Sequence, residues 1–407
     1  MTTNSTHHLL GNRKLIRGLN RSTVLNTILI DGPISRAALA QKIGLSPASI
    51  TNLTAVLLEQ DLIMETRQGE SSGGRRPILL EINSESGYVA GLKLTDQHVI
   101  GALTDLSAKV LSKQITSLDG KQPEEIVDKI AVTVTALLKE AKIPRKKLRG
   151  VGLGLAGVVN ADEGISRQHP FFGWRDVPLG AMLQKKIKTL VHIDNDVKAL
   201  TLAELLYGAG QGVNEFLTVT IGRGVGLGIV VNGQLYRGAY GGGGEFGHIV
   251  VDPKGPICAC GKTGCLEAFV AEGSLIRDGK AAVSNNKLPP FNTLDQLIDL
   301  GEAGEPAAIE IFSSAGQILG REIANLINIF NPQLLLVSGE GTRIGDLIFD
   351  SMRLAINTHV MSTLRDDTEI RVDHWGDDAW AIGAASLVLQ DLFASPIHQR
   401  NVKSIEA

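Results

Sequence analysis

All three cysteines of the chain, Cys258, Cys260 and Cys265, fall within eight residues, and His248 stands ten residues before the first of them. If they share one ion, the stretch from Gly241 to Glu267 must close on itself as a knot. Four ligands of soft and borderline type suit a tetrahedral Zn²⁺. A closed His-Cys₃ set leaves no open position for catalytic water, so the ion is expected to be structural. The alternative is three free cysteines in glycine loops, and their clustering favours the metal. An odd number of cysteines argues against a disulfide framework and for a reducing, cytoplasmic compartment.

At 407 residues the chain exceeds one ordinary core, so two or three domains are expected. The 46 glycines and 4% aromatics suit an α/β protein with many tight turns. A net charge of -3 gives no global pull toward nucleic acid. The charge is uneven, however: residues 1–83 hold nine Lys/Arg against six Asp/Glu, leaving the acidic excess on the remainder. That pattern predicts a basic module on an acidic body. The apolar run from Val151 to Val159 is short and broken by three glycines, so no membrane insertion is expected. The N-terminus lacks a basic segment followed by a long apolar core, so no signal peptide is read.

Residues 1–83 carry a helix-turn-helix pattern. Val24, Leu25, Ile28 and Leu29 form one helical face, and Asp31-Gly32-Pro33 breaks it. Ser35 caps a second helix, and Ser46-Pro47 opens a third with Ile50, Leu53 and Leu57 inward. Ser46, Ala48, Ser49 and Asn52 are left outward, small enough for close approach to base edges and phosphates. Two short strands, at 62–66 and 78–82, read as a β-hairpin wing whose loop carries Arg75 and Arg76 for a groove or phosphates. The competing explanation is a three-helix packing unit with a solvated basic loop. The wing and the charge offset favour DNA binding.

From Tyr88 three strand-like runs precede an amphipathic helix at 124–141 and a buried strand at 149–157. The same βββαβ order returns around LTVTIG, VGLGIVV and LLLVSG, which suggests two α/β lobes with mixed sheets. Asn195-Asp196 lies at a strand-to-helix junction, where α/β folds place ligand contacts. Asp196 suits a general base toward a hydroxyl, with Asn195 orienting; both residues equally suit a helix N-cap, and from this stretch alone the cap is favoured. The glycine-rich turn at 222–228 suits either an anion site, with Arg223 adding charge, or a tight hairpin. A long amphipathic helix at 310–330 faces either the core or a partner, and the core is favoured.

These residues carry a family resemblance. GGGGEFGHIVVD…CACGKTGCLEAF resembles the ROK family, which groups bacterial repressors and sugar kinases. LGLAGVVN, FFGWRDVPL, IDNDVKALTLAE, TIGRGVGLGIVVNG and INIFNPQLLLVSG resemble the same family, so the likeness covers nearly the whole chain. It implies an actin-like (hexokinase-type, ribonuclease H-like) α/β fold behind an N-terminal winged helix-turn-helix. The expected division is a DNA-binding head at 1–83, a first lobe at 84–194 with a C-terminal helix at 380–396 returning to it, and a second lobe with the zinc site at 195–379. Carried over by residue, sugar contacts fall on Asn195, Asp196, Glu245, His248 and Glu267, with His248 serving metal and sugar alike.

The sequence departs from the family's kinases at their phosphate cradle. Lys93 stands for the Asp of their Asp-x-Gly-Gly-Thr turn, and Thr95-Asp96-Gln97 for Gly-Gly-Thr. The glycines that admit a phosphate are missing, and Asp96 adds a charge that repels a polyanion by on the order of 1–4 kcal/mol at a few Å. Arg223 also replaces a usual threonine. The expectation is therefore a receptor without kinase activity, Asp196 being a vestigial base. It is expected to be a repressor of carbohydrate genes, relieved by a monosaccharide or sugar phosphate in the interlobe cleft, and to bind operator DNA as a homodimer or tetramer. A phosphotransferase-system protein is a possible further partner. The rival expectation is an ATP-dependent sugar kinase with an accessory DNA-binding domain.

Overall fold

The computed structural model describes residues 13–68, 77–373 and 379–393. The chain begins with α1 (Arg13–Asp31), β1 (Ile34–Ser35), α2 (Arg36–Ile43), α3 (Pro47–Glu59), β2 (Ile63–Gln68) and β3 (Ile78–Ile82), the strands pairing in the order β1-β3-β2. Local chemistry sets these boundaries. Ser35 Oγ accepts from Ala38 N at the start of α2, and Gly44 ends it at φ 75, a left-handed value that suits glycine. Ser46 accepts from Ser49 N at the start of α3, with Pro47 in the first turn. Ile50, Leu53 and Leu57 are buried, as their spacing predicts. The Arg75 and Arg76 of the expected wing lie outside the described residues.

Next come β4 (Tyr88–Leu94), β5 (His98–Asp105), β6 (Val110–Ser117), α4 (Pro123–Glu140) and β7 (Leu148–Leu155). A small sheet of β8 (Val158–Asn160), β9 (Ile165–Gln168) and β10 (Arg175–Val177) precedes α5 (Leu179–Ile187) and β11 (Leu190–Asn195). The order β11-β7-β4-β5-β6 makes a mixed sheet, antiparallel through β4-β5-β6 and parallel through β4-β7-β11. After α6 (Asp196–Tyr207) the pattern repeats with β12 (Phe216–Ile221), β13 (Val225–Val231) and β14 (Gln234–Leu235). There follow α7 (Glu267–Val270), α8 (Glu272–Ser284), α9 (Leu294–Glu302), α10 (Pro306–Phe330), β15 (Leu334–Ser338), α11 (Asp346–His359), β16 (Glu369–Val372) and α12 (Ala379–Phe393). The second sheet runs β14-β13-β12-β15-β16, the same arrangement in which three antiparallel strands are extended by two parallel ones. The long helix α10 turns Phe312, Leu319, Ile323 and Ile327 into the second core, which settles the choice posed by its amphipathic pattern.

The head does not have a core of its own. Val24, Leu25, Ile28, Leu39, Ile50 and Leu57 belong to one apolar cluster with Val89 of β4, Leu106 of the turn after β5, and Ala385, Val388 and Leu389 of α12. The last helix thus returns to the first sheet and wedges beneath the head. Glycines permit this. A Cβ on Gly91 would lie 1.9 Å from Ala381 O, and one on Gly152 only 1.7 Å from Ala384 O, so the helix backbone rests directly on β4 and β7. We expect Gly152→Val to push α12 outward, at about 1–3 kcal/mol for an overpacked core. Melting followed by calorimetry, with limited proteolysis of the head, checks this. Head and first lobe should loosen together, and an unchanged melting temperature and cleavage pattern would refute it.

Candidate functional site

Strand β13 is the floor on which the sequence-predicted site residues assemble. The start of α6 lies against it, because a Cβ on Gly226 would meet Val197 Cγ2 at 2.5 Å. Gly244 and Gly247 approach the carbonyls of Leu227 and Val225 so closely that a side chain on either would clash. Glu267 Oε2 accepts from Val225 N at 3.3 Å. Val197 next to Asp196, the Gly244–Gly247 turn and Glu267 therefore reach one strand from three elements. Buried Lys198 extends from α6 beneath this wall and donates to Gly241 O, tying the glycine run to the helix.

At the junction before α6, the capping role anticipated for Asn195 is the one observed. Its Oδ1 accepts from Val197 N at 3.0 Å and Lys198 N at 3.2 Å, and its Nδ2 donates to Gly157 O at 3.1 Å. One Nδ2 hydrogen remains for a ligand. Asp196 is the first helical residue. Its Oδ1 accepts from Val197 N at 3.1 Å, and its Oδ2 lies 3.7 Å from Lys93 Nζ. Glu245 is exposed, while His248 and Glu267 are half-buried.

His248, Cys258, Cys260 and Cys265 offer four ligand atoms that all lie within 4.8 Å of one another. Cys258 Sγ is 3.6 Å from His248 Nδ1, and Cys260 Sγ is 3.7 Å from Cys265 Sγ. A tetrahedral ion bound at about 2.3 Å by sulfur and 2.0–2.1 Å by nitrogen has S–S edges of about 3.8 Å and S–N edges of about 3.6 Å. The donor set therefore fits a four-coordinate metal. Burial pushes the Cys258 thiol up to about 12 and raises Cys265 as well, so both favour the thiol form unless a cation compensates the thiolate charge. Backbone bonds hold the knot: Cys258 N to Lys262 O at 2.8 Å, Gly264 N to Pro256 O at 2.8 Å and Leu266 N to Ile249 O at 3.0 Å. Lys262 Nζ also donates to His248 O at 2.7 Å.

The turn after β4 and the turn after β12 face one another across the lobes. Lys93 Nζ lies 3.5 Å from Glu340 Oε1 and 3.4 Å from the centroid of the Trp380 ring. Arg223 forms a two-pronged pair with Asp96, at 2.7 and 2.9 Å. Glu340 and Trp380 went unnoticed in the sequence. Glu340 carried a readable signal, since it follows Ser338-Gly339 at a strand end of the second sheet, where ligand contacts gather. Trp380 had none, because its partner is 287 positions earlier in the sequence. The proposed DNA-facing residues form a separate surface: Ser46, Ala48 and Asn52 are exposed at the start of α3, and Ser49 is half-buried.

Two duplicated mixed sheets, with α6 and α12 packed together beside a carboxylate-lined seam, define a two-lobed α/β protein of the actin-like class. The ROK family model matches residues 89–391, and the chain belongs to the ROK family. Over 380 residues it is 30% identical to the xylose repressor of Bacillus subtilis (strain 168), covering 93% of this chain and 97% of that protein. A solved ROK family transcriptional regulator, described as a homologue of the E. coli MLC protein, superposes with a TM-score of 0.82 at 28% identity, over 93% of this chain and 97% of that one. A ROK family glucokinase from Streptomyces griseus, solved with glucose and AMPPNP, superposes with a TM-score of 0.65 at 26% identity, over 74% of this chain and 99% of that one. The regulator thus matches 93% of the chain, whereas the kinase is matched by about three quarters of it. Among the described residues no helix is long and apolar enough to cross a membrane.

Metal analysis of the purified chain should find one tightly held ion per chain, released by Cys265→Ser. A ratio near zero in protein purified without chelators would refute the His-Cys₃ centre.

Proposed function

We propose that the chain is a sugar-responsive transcriptional repressor of carbohydrate genes, acting in the cytoplasm without kinase activity. The observation that carries the proposal is the single helix α12. Its first turn places Trp380 under Lys93 at the seam, and its later residues Ala385, Val388 and Leu389 complete the core of the head. A change of lobe spacing at the seam is thereby a change of footing for α3. The repressor names of the xylose repressor and the solved regulator support the same reading.

In this reading the start of α3 enters the major groove of operator DNA, with Ser46, Ala48, Ser49 and Asn52 toward base edges and phosphates and Arg75 and Arg76 on the wing. A monosaccharide enters beside Asp196, Glu245 and Glu267, donating its hydroxyls to their carboxylates. Asn195 Nδ2 supplies a donor and His248 a ring edge. The metal is a structural Zn²⁺: all four ligand positions belong to the protein, and its work is to fix the loop that presents Glu245 and His248. Sugar binding stabilises one lobe spacing and shifts the head away from its operator-competent setting. A homodimer or tetramer, one head per half-site, fits a two-fold operator. A phosphotransferase-system partner rests on family likeness alone.

Asp196 and the glycine turn at 222–228 also suit a sugar kinase, but in the receptor reading Lys93 neutralises the base and Asp96 and Arg223 fill the phosphate cradle. Three measurements test the proposal. Ser49→Glu should abolish the operator gel shift, a saturating sugar should weaken it about 5- to 150-fold, and coupled ATP consumption should stay at background. Sugar-dependent ATP turnover, or undiminished operator binding by Ser49→Glu, would overturn it.

A further inference from the structure

The seam is held by five charged side chains whose signs run in opposite directions across the lobes. Lys93 of β4 reaches to Asp196 Oδ2 at 3.7 Å and to Glu340 Oε1 at 3.5 Å. Arg223, from the turn after β12, reaches back to Asp96 at 2.7 Å. Hydrogen bonds from Arg223 hold Asp96 below the usual carboxylate range, so it is ionised at neutral pH. The glycine turn itself is covered by carboxylates. A Cβ on Gly222 would lie 2.6 Å from Glu340 Oε2, and one on Gly224 2.8 Å from Glu267 Oε2. Glu267 already takes the Val225 N–H.

We propose that this arrangement makes the chain a receptor for a neutral, unphosphorylated aldose and sets it against the phosphate ester of the same sugar. The inference rests on the sugar-receptor reading above and narrows its ligand. A phosphate ester carries a charge near −2 and three strong acceptors, and it needs free cations or unpaired N–H groups. The cations at this wall are engaged. Lys93 is shared by two carboxylates and Arg223 is held by a third. Lys198 donates to Gly241 O, Lys262 to His248 O, and Arg237 donates its Nε to buried Asp194 at 2.6 Å, while its unpartnered Nη2 is itself buried and presents no surface to a ligand. To recruit Lys93, a phosphate would have to strip Asp196 and Glu340 of their cation and come to rest among Asp96, Asp196, Glu267 and Glu340. A neutral sugar meets no such conflict, because its hydroxyls donate to Asp196, Glu245 and Glu267 and leave the Asp96 and Glu340 pairs in place. The seam thus replaces the mobile anion of a nucleotide or sugar phosphate with fixed anions of the protein.

Titration calorimetry on the full-length, metal-loaded chain tests the proposal with matched pairs: D-glucose against glucose 6-phosphate, and N-acetyl-D-glucosamine against its 6-phosphate, with D-xylose as a further neutral sugar. We expect at least one neutral sugar to bind, and to bind tighter than any of the phosphate esters by about tenfold or more. The double variant Asp96→Asn/Glu340→Gln frees Arg223 and leaves Lys93 to Asp196 alone, and should narrow that ratio while leaving the neutral-sugar Kd within about threefold. The single variant Asp96→Asn, with an unchanged melting temperature, gives a partial narrowing if the double variant folds poorly. A phosphate ester that binds the parent protein as tightly as any neutral sugar overturns the inference. So does a discrimination that both variants leave untouched, because the selectivity would then lie elsewhere. Binding by none of these sugars or esters overturns the receptor reading itself, so the two failures are distinguishable.

Discussion

Among the described residues, the contact that ties the head to the seam is the seating of α12 on two strands that place glycine, not a side chain, beneath it. Gly91 and Gly152 let the carbonyls of Ala381 and Ala384 rest on β4 and β7. At that depth one face of α12 meets α6, where Gly383 lies on Ala199, and its further turns reach the head. Close approach makes the helix a stiff spacer, because interiors packed to crystal-like density move as units. The buried His192 meets Asp391 at 2.6 Å near the far end, adding a polar pin to an otherwise apolar seat.

The metal knot plays the corresponding part in the second lobe. Phe246 and Leu266 anchor the ends of this loop in the second core, but its tip, with exposed Ile257, buries little beyond the small cluster of Cys258, Cys265 and Ala268. A metal held by the four ligand atoms would cross-link that tip into one shape. The close approach of Gly244 and Gly247 to β13 then fixes Glu245 and His248 over the same strand that binds Glu267. Rigidity here matters because a carboxylate selects hydroxyl geometry only when its own position is fixed.

How much of this could be read from the chain depended on sequence distance. The helices of the head, their caps at Ser35 and Ser46, the repeated βββαβ order and the His-Cys₃ grouping are all local patterns, the two caps falling on the residues expected and the element boundaries shifting by a few residues. The first helix was underestimated, since α1 begins at Arg13 and its early residues carry too little apolar periodicity to announce it. Asn195 was correctly weighed as a cap. What local pattern could not supply was the company each charge keeps. Lys93 looked only like a lost aspartate; its partner Glu340 is 247 residues away. Nor did the composition break at residue 83 reveal a shared core, because the α12 residues that close it lie some 300 positions later.

The strength of the seam follows from its exposure. Arg223 and Glu340 are 55% and 48% exposed, so each of these pairs contributes about 0–1 kcal/mol, far below what a buried, fully desolvated pair would impose. Two such pairs, with Lys93 resting on Trp380, bias the lobe spacing without locking it. That is the range in which a bound sugar, with about 1–3 kcal/mol of differential affinity, can move the population. A stronger clasp would hold one state whatever the ligand, and no clasp would leave the head indifferent to the cleft. Substituting ion pairs for a phosphate cradle thus does two things at once. In the receptor reading proposed above, it withholds the donors that phosphoryl transfer needs, and it leaves a weak, charge-defined contact between the lobes for a neutral ligand to tip.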